Sequence, residues 1–379
     1  MEVGTGAVLT VVGLLLLCFG GYALVSGGVA IAKKFRISSL IIGLTVVAYG
    51  TSTPELAVSV ASAFQGETNL ILGNVIGSNI ANIGMVIGIS AIVTPLLITK
   101  GRLIMDKNTI KIWLPIMLGV SALLIILTTI EKNNVSREAG CLFIAILIVL
   151  SFFTFYRAKK QRRGKEPEID IIKKEEEVGL LPKDDLPKWK EHGEKIGYYE
   201  TVERKIDKLP PIVLIIIGAV ALCGGGMFTI NGSIGIAESL GISTTVIGIV
   251  IVAIGTSLPE LITSIIALRK GQASIGIGNI IGSNIYNILL ILGVSSIIAG
   301  NLSTASLFGP TQAQNLVPND FVLMIIFSGI ILLFLLWNKI PFITKWRGKK
   351  YVGTIPWGGG IILVIMYTIY LIRTSLGLA

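Results

Sequence analysis

The chain has 379 residues, 53% hydrophobic and 14% charged, with a formal net charge of +10. Its mean hydropathy of +0.81 is too high for a soluble domain and indicates a polytopic membrane protein. The positive balance does not mark a nucleic-acid partner, because the basic residues fall in the connections between apolar segments.

Ten apolar segments follow in chain order: residues 7–31, 37–64, 70–97, 112–130, 139–157, 210–235, 242–268, 274–299, 320–338 and 355–373. Most reach the ~20 residues a helix needs to cross a bilayer. The first is too long for a signal peptide and has no basic leader, so it is read as part of the mature protein. With the N-terminus outside, the inner connections carry Lys33, Lys34 and Arg36; Lys100, Arg102, Lys107 and Lys111; the basic residues of 157–208; Arg269 and Lys270; and Lys339, Lys345, Arg347, Lys349 and Lys350. The outer side carries only Lys132, Arg137 and Arg373. This bias predicts an all-α polytopic membrane protein with ten transmembrane helices, both termini outside the cell membrane.

Residues 158–209 form the one long polar segment, with charges in short alternating blocks such as Lys173-Lys174 before Glu175-Glu176-Glu177. Such a stretch reads as a solvated cytoplasmic linker, with a surface helix possible over 194–209. It contains no EF-hand pattern. His192, the single histidine, lies within it, and Cys18, Cys141 and Cys223 fall inside spans without metal-type spacing. Histidine catalysis and soft-metal binding inside the membrane are therefore excluded.

The chain repeats itself. Gly43 to Leu56 reads GLTVVAYGTSTPEL and Gly248 to Leu261 reads GIVIVAIGTSLPEL; Gly73 to Ile83 (GNVIGSNIANI) is matched by Gly278 to Ile288 (GNIIGSNIYNI). All four segments share one offset of 205 residues, and 37–95 aligns on 242–300 without a gap. The match reaches back to Cys18 and Cys223, Gly20 and Gly225, and Gly27 and Gly232. The unit is five spans, giving a first repeat over 1–157 and a second over 210–379. Because five is odd, the second copy enters the membrane from the opposite side, an inverted repeat of the kind that builds transport sites at the repeat interface.

Each repeat places one glutamate, Glu55 or Glu260, in uncharged apolar sequence, and a carboxylate there is costly and marks function by default. Pro54 and Pro259 cannot donate to the preceding turn and predict a break that frees carbonyls around Ala48 to Gly50. Thr51, Ser52, Thr256 and Ser257 add hydroxyl oxygens beside the break. Ser52-x-x-Glu55 and Ser257-x-x-Glu260 also match a capping box that would restart a helix. In the following spans Ser78 and Asn82 share a helix face, as do Ser283 and Asn287. Asn74, Asn79, Asn279 and Asn284 read equally as interhelical glue or as ligands. Gly73-x-x-x-Gly77 and Gly278-x-x-x-Gly282 predict close helix approach. The donors are all oxygens with two fixed negative charges, a set suited to one Ca2+ or two to three Na+.

These motifs resemble the α-repeats of the Ca2+/cation antiporter superfamily, most closely its Na+/Ca2+ exchanger branch of prokaryotic type. The resemblance covers both repeats and the loop between them. It implies alternating access, with Na+ influx driving Ca2+ export, both ions being substrates and no cofactor required. The ligands it implies are Thr51, Ser52, Glu55, Ser78 and Asn82, with Thr256, Ser257, Glu260, Ser283 and Asn287, together with the carbonyls of Ala48 and Ala253. It also implies that spans one and six are sliding gate helices. Many prokaryotic and K+-dependent relatives carry Asp where this chain has Asn287, a departure that weighs against K+ co-transport and leaves the ion stoichiometry open. An H+/Ca2+ or other divalent-cation exchanger of the same superfamily is the alternative, because a glutamate pair titrates; a Ca2+-selective channel is a remote one. The sequence sets no oligomeric state.

Overall fold

The computed structural model describes residues 3–97, 102–105, 108–131, 134–163, 209–240, 253–303, 319–337 and 354–375. The first half contains α1 (Val3–Phe35), α2 (Ser39–Ile42), α3 (Ala48–Thr51), α4 (Thr53–Gln65), α5 (Thr68–Ala81), α6 (Gly88–Leu97), α7 (Leu114–Ile130) and α8 (Arg137–Arg163). The second contains α9 (Pro211–Ser239), α10 (Ala253–Thr256), α11 (Leu258–Arg269), α12 (Ala273–Tyr286), α13 (Gly293–Ala299), α14 (Asn319–Trp337) and α15 (Trp357–Ser375). Single π-helical turns join α2 to α3 (Gly43–Val47), α5 to α6 (Asn82–Ile87) and α12 to α13 (Asn287–Leu292).

Among the described residues seven helices are long and apolar enough to cross a membrane, and the bent pair Ser39–Thr51 with Thr53–Gln65 makes an eighth. The seventh predicted span falls partly on 242–252, outside the described residues, and the ninth carries a shorter apolar stretch, Asp320–Phe334. Most of the charged linker, with His192, also lies outside them. Helix α8 runs to Arg163, past the predicted end at 157, because Lys159 and Lys160 remain good helix formers beyond the apolar stretch.

The fold is not purely helical. Arg102–Ile104 (β1) pairs antiparallel with Thr354–Pro356 (β4), and Asn134–Val135 (β2) with Leu302–Ser303 (β3). Both pairs join a connection of the first half to one of the second, where extended backbone leaving a helix finds partners for its N–H and C=O groups.

Two spans form the centre. Leu70–Leu97 and Ala273–Ala299 are 67% and 83% buried over their apolar windows, against 22–39% for the other spanning helices. Isoleucines 71, 76, 80 and 83 from the first and 277, 280, 281 and 285 from the second fill the core between them. Gly278 and Gly282 let α12 press on the backbone of the second span: a Cβ at either would sit 2.7 Å from the Leu40 or Leu44 carbonyl. The counterparts of that contact for Gly73 and Gly77 would be 245–249, outside the described residues.

Helices α1 and α9 pack antiparallel along a glycine seam. Gly6, Gly13, Gly20 and Gly27 face Gly232, Gly225, Gly218 and Pro211, and a Cβ on the first set would lie 2.7–2.9 Å from the opposing carbonyls. A seven-residue period keeps every contact on one stripe of each helix. At the end of α11, Lys270 Nζ donates to Ser26 Oγ at 2.7 Å and sits 3.6 Å from the Tyr22 ring centroid, tying α11 to α1.

Candidate cation site between the two half-chains

The break in the second span is one residue long. Ser52 (φ −86°, ψ 7°) separates α3 from α4, and the two segments differ in direction by 47°. Ser257 (φ −90°, ψ 0°) makes the same break between α10 and α11. Both sit in the sparsely populated bridge region where active-site residues are often held. Pro54 and Pro259 occupy the first turn of the helix that follows, where a missing N–H costs little.

Two expectations need correction. The Ala48 carbonyl is not freed by the break, since it keeps its helical bond from the Ser52 N–H at 3.0 Å, leaving one lone pair for a further partner. The reason is that the break falls after Thr51, so Pro54 withholds its donor from Gly50 and leaves the bond to Ala48 intact. Nor do the serines cap: neither Ser52 nor Ser257 makes a side-chain bond to the helix it precedes. Their bridge-region backbone aims the hydroxyls into the bundle.

Ser52 Oγ lies 3.2 Å from Glu260 Oε1 and 2.9 Å from Ser283 Oγ, which is itself 3.4 Å from the same carboxylate oxygen. A hydroxyl of the first half-chain thus serves the glutamate of the second. Thr51 crosses in the same direction, donating to Asn279 Oδ1 at 3.0 Å. Asn74 stays local and donates to the Glu55 carbonyl at 3.1 Å and to Ser59 Oγ at 2.9 Å, a helix-to-helix tie. Glu55 and Glu260 are 2% and 1% exposed and lie within each other's electrostatic reach.

Ten of the twelve predicted residues have described side chains beyond alanine, and all ten are buried: Thr51, Ser52, Glu55, Ser78, Asn82, Thr256, Ser257, Glu260, Ser283 and Asn287. Ala48 is buried beside them, and Ala253 opens α10. Among the described residues eleven buried side-chain polar atoms have no hydrogen-bond partner, and six belong to this set: Glu55 Oε2, Glu260 Oε2, Ser78 Oγ, Ser257 Oγ, Asn82 Oδ1 and Asn287 Oδ1. All six are oxygens. Leaving a buried acceptor unmade costs about 1–3 kcal/mol, more for a charged one, so these six acceptors call for donors or a cation to satisfy them. Among the described residues no group of three or more His, Cys, Asp or Glu forms a metal cluster, and the set combines two carboxylates with neutral oxygens. A cavity of about 130 Å³ beside the stacked pair Tyr49 and Tyr286 contains none of the twelve residues.

Sequence reasoning missed the π-helical turns that begin at Asn82 and at Asn287. Extra-residue turns of this kind recur at functional sites, but nothing in G-S-N-I-x-N announces the change from an i−4 to an i−5 bond.

The model of the sodium/calcium exchanger protein family matches residues 5–156 and 210–376. The chain belongs to that family. The sodium/calcium exchanger MaX1 of Methanosarcina acetivorans is 33% identical over 373 residues, covering 95% of each chain. The putative antiporter CaxA of Alkalimonas amylolytica is 32% identical over 341 residues, 90% of this chain and 93% of that one. Among solved structures, the sodium-calcium exchanger NCX_Mj soaked with Na+ and Sr2+ superposes with a TM-score of 0.69 at 27% identity, covering 98% of this chain and 99% of its own. This exchanger-family chain is therefore a multi-pass helical membrane protein of a transporter family.

Proposed function

We propose that this chain is a Na+/Ca2+ antiporter that exports Ca2+ across the cell membrane by alternating access, driven by Na+ influx. The observation that carries the reading is the set of six buried, unpartnered oxygens, two of them from Glu55 and Glu260. Two carboxylates and four neutral oxygens offer one Ca2+ charge balance and the six to eight oxygen ligands it takes in flexible geometry. Two or three Na+ satisfy the same charge, so the two ions compete for one site, which is the minimum an exchanger needs. The twelve ligand residues in this reading are Thr51, Ser52, Glu55, Ser78, Asn82, Thr256, Ser257, Glu260, Ser283, Asn287 and the carbonyls of Ala48 and Ala253.

The architecture proposed with it is ten spans in two inverted repeats, 1–157 and 210–379, joined by a cytoplasmic linker over 158–209, with both termini outside. The glycine seam supports α1 and α9 as a gate pair, since the glycines let the two backbones lie against each other along one stripe of each helix. The decisive experiment is 45Ca2+ uptake into proteoliposomes under an imposed Na+ gradient and, separately, a pH gradient at matched voltage. Uptake following the Na+ gradient is expected. Uptake that follows only the pH gradient overturns the Na+ assignment, and uptake with voltage alone indicates a channel.

A further inference from the structure

Four asparagines in the central spans form two matched pairs, and the pairing has a polarity. Asn82 Nδ2 donates to Asn284 Oδ1 at 3.0 Å, and Asn287 Nδ2 donates to Asn79 Oδ1 at 2.9 Å. The offset of 205 that relates the half-chains carries Asn79 onto Asn284 and Asn82 onto Asn287. The two bonds are one bond made twice, each crossing from one half-chain to the other. In each, the residue of the unpartnered set is the donor, so its own Oδ1 is left facing away without a partner.

What lies behind the acceptors explains the direction. Asn284 Nδ2 donates to Met117 Sδ of α7 at 3.6 Å, and Asn79 Nδ2 donates to Met324 Sδ of α14 at 3.5 Å and to the Asn284 carbonyl at 3.4 Å. A thioether accepts and never donates. The amide nitrogens of Asn79 and Asn284 must therefore face the sulfurs, which turns their Oδ1 atoms toward Asn287 and Asn82. Those two must then present nitrogen to the pair and oxygen to the cage. Asn79, Asn284, Met117 and Met324 are each at most 2% exposed, so no water competes to reverse the order.

We propose that Asn79 and Asn284 are positioning residues, with Met324 and Met117 behind them, that lock the Asn287 and Asn82 amides with their oxygens toward the transported cation. This rests on the reading of Asn82 and Asn287 as cation ligands. The alternative flip of either amide would aim N–H donors at a divalent cation, so the lock decides whether that residue attracts or repels the ion. The arrangement also gives Asn79 and Asn284 a role other than ligand or simple interhelical tie.

The test uses the fact that a carboxylate has no wrong flip. Equilibrium 45Ca2+ binding is measured on the purified full chain for Asn284→Leu and for the milder, volume-conserving Met117→Leu, each in the native background and with Asn82→Asp; thermal unfolding without ions monitors the fold. Asn284→Leu is expected to weaken Ca2+ binding at least tenfold in the native background and by no more than about threefold beside Asn82→Asp. Met117→Leu follows the same pattern at smaller amplitude and keeps the test in force where the leucine at 284 prevents folding. Equal losses in both backgrounds, or no loss from either substitution, would overturn the positioning role. Asn82→Ala separates the underlying reading: native Ca2+ affinity in that variant would remove Asn82 from the ligand set, whatever Asn284 does.

Discussion

Glu260→Gln isolates the charge of the cage from its hydrogen bonding. The amide oxygen of a glutamine can still accept from Ser52 and Ser283, which stand 3.2 and 3.4 Å from Glu260 Oε1, so the bundle loses little stability. What disappears is one of two negative charges in a site where Glu260 is 1% exposed. Two unit charges about 4 Å apart interact by about 4 kcal/mol at an effective dielectric constant near 20. A divalent ion feels that loss twice over, whereas Na+ feels it once per ion. At about 1.4 kcal/mol per decade, Ca2+ affinity is expected to fall by about 10³ or more and Na+ affinity by a smaller factor. The assay is 45Ca2+ binding and Na+-driven uptake in proteoliposomes, beside a thermal unfolding curve. Glu67→Gln, an exposed position outside the cage, is expected to behave as native. A folded Glu260→Gln chain that keeps Ca2+ affinity within tenfold of native would refute the argument, because among the described residues Glu55 would be the one buried carboxylate left to hold the ion.

Two further outcomes follow from particular contacts. Ser52→Ala takes a donor from Glu260, a bond to a charged group worth about 1.5–3 kcal/mol, and is expected to lower the ion-free unfolding temperature; Ser257→Ala removes a hydroxyl with no partner among the described residues and should not, although both weaken Ca2+ binding. Equal unfolding shifts for the two serines would contradict the hydrogen-bond assignment. Gly20→Val puts a Cβ 2.8 Å from the Gly218 carbonyl and the Leu222 nitrogen, and overpacking of this kind costs about 1–3 kcal/mol. Gly119→Ala meets nothing within 4 Å in the middle of α7 and should be neutral or mildly stabilising, so thermal unfolding that ranks the two alike would speak against the seam.

The parts of this molecule that its sequence displays are those written in composition and in short motifs. Intramembrane charge is rare enough that Glu55 and Glu260 stand out unaided, and Pro54 and Pro259 mark a break whose position was legible to within a turn. That the Ala48 carbonyl keeps its bond and that the serines do not cap was not legible, because both depend on Ser52 and Ser257 taking bridge-region torsions. The asparagines were legible as a set but not by role. Asn79 and Asn82 differ in sequence only by spacing, and their separation into acceptor and donor is made by Met324 and Met117, which approach from helices far along the chain. The short pairs of β1 with β4 and β2 with β3 were invisible for the same reason: a strand of two or three residues has no period to read, and its partner lies in the other half-chain.

The two halves of the cage are alike in residue type and unlike in hydrogen bonding, and this bears on how tightly an ion is held. Glu260 Oε1 and Ser283 are joined to Ser52, whereas the counterpart hydroxyls of Ser78 and Ser257 have no partner; Oε2 is unpartnered in both Glu55 and Glu260. Identical residues cannot produce that difference, so it comes from conformation: Ser52 reaches across to Glu260 and Ser283, and Ser257 makes no matching bond toward Glu55 and Ser78. For Ser52 and Ser283 to coordinate a cation they must give up bonds worth about 0.5–1.5 kcal/mol between neutral groups and more to the carboxylate. That cost subtracts from the gross attraction of a −2 cage for Ca2+ and weakens net binding by roughly a decade per 1.4 kcal/mol. A transporter needs such a subtraction, because a site that held Ca2+ with the full strength of two buried carboxylates would bind it and never release it. On the proposed reading, the Ser52–Ser283–Glu260 triangle would supply it from within the site, by offering Glu260 a partner when the ion departs.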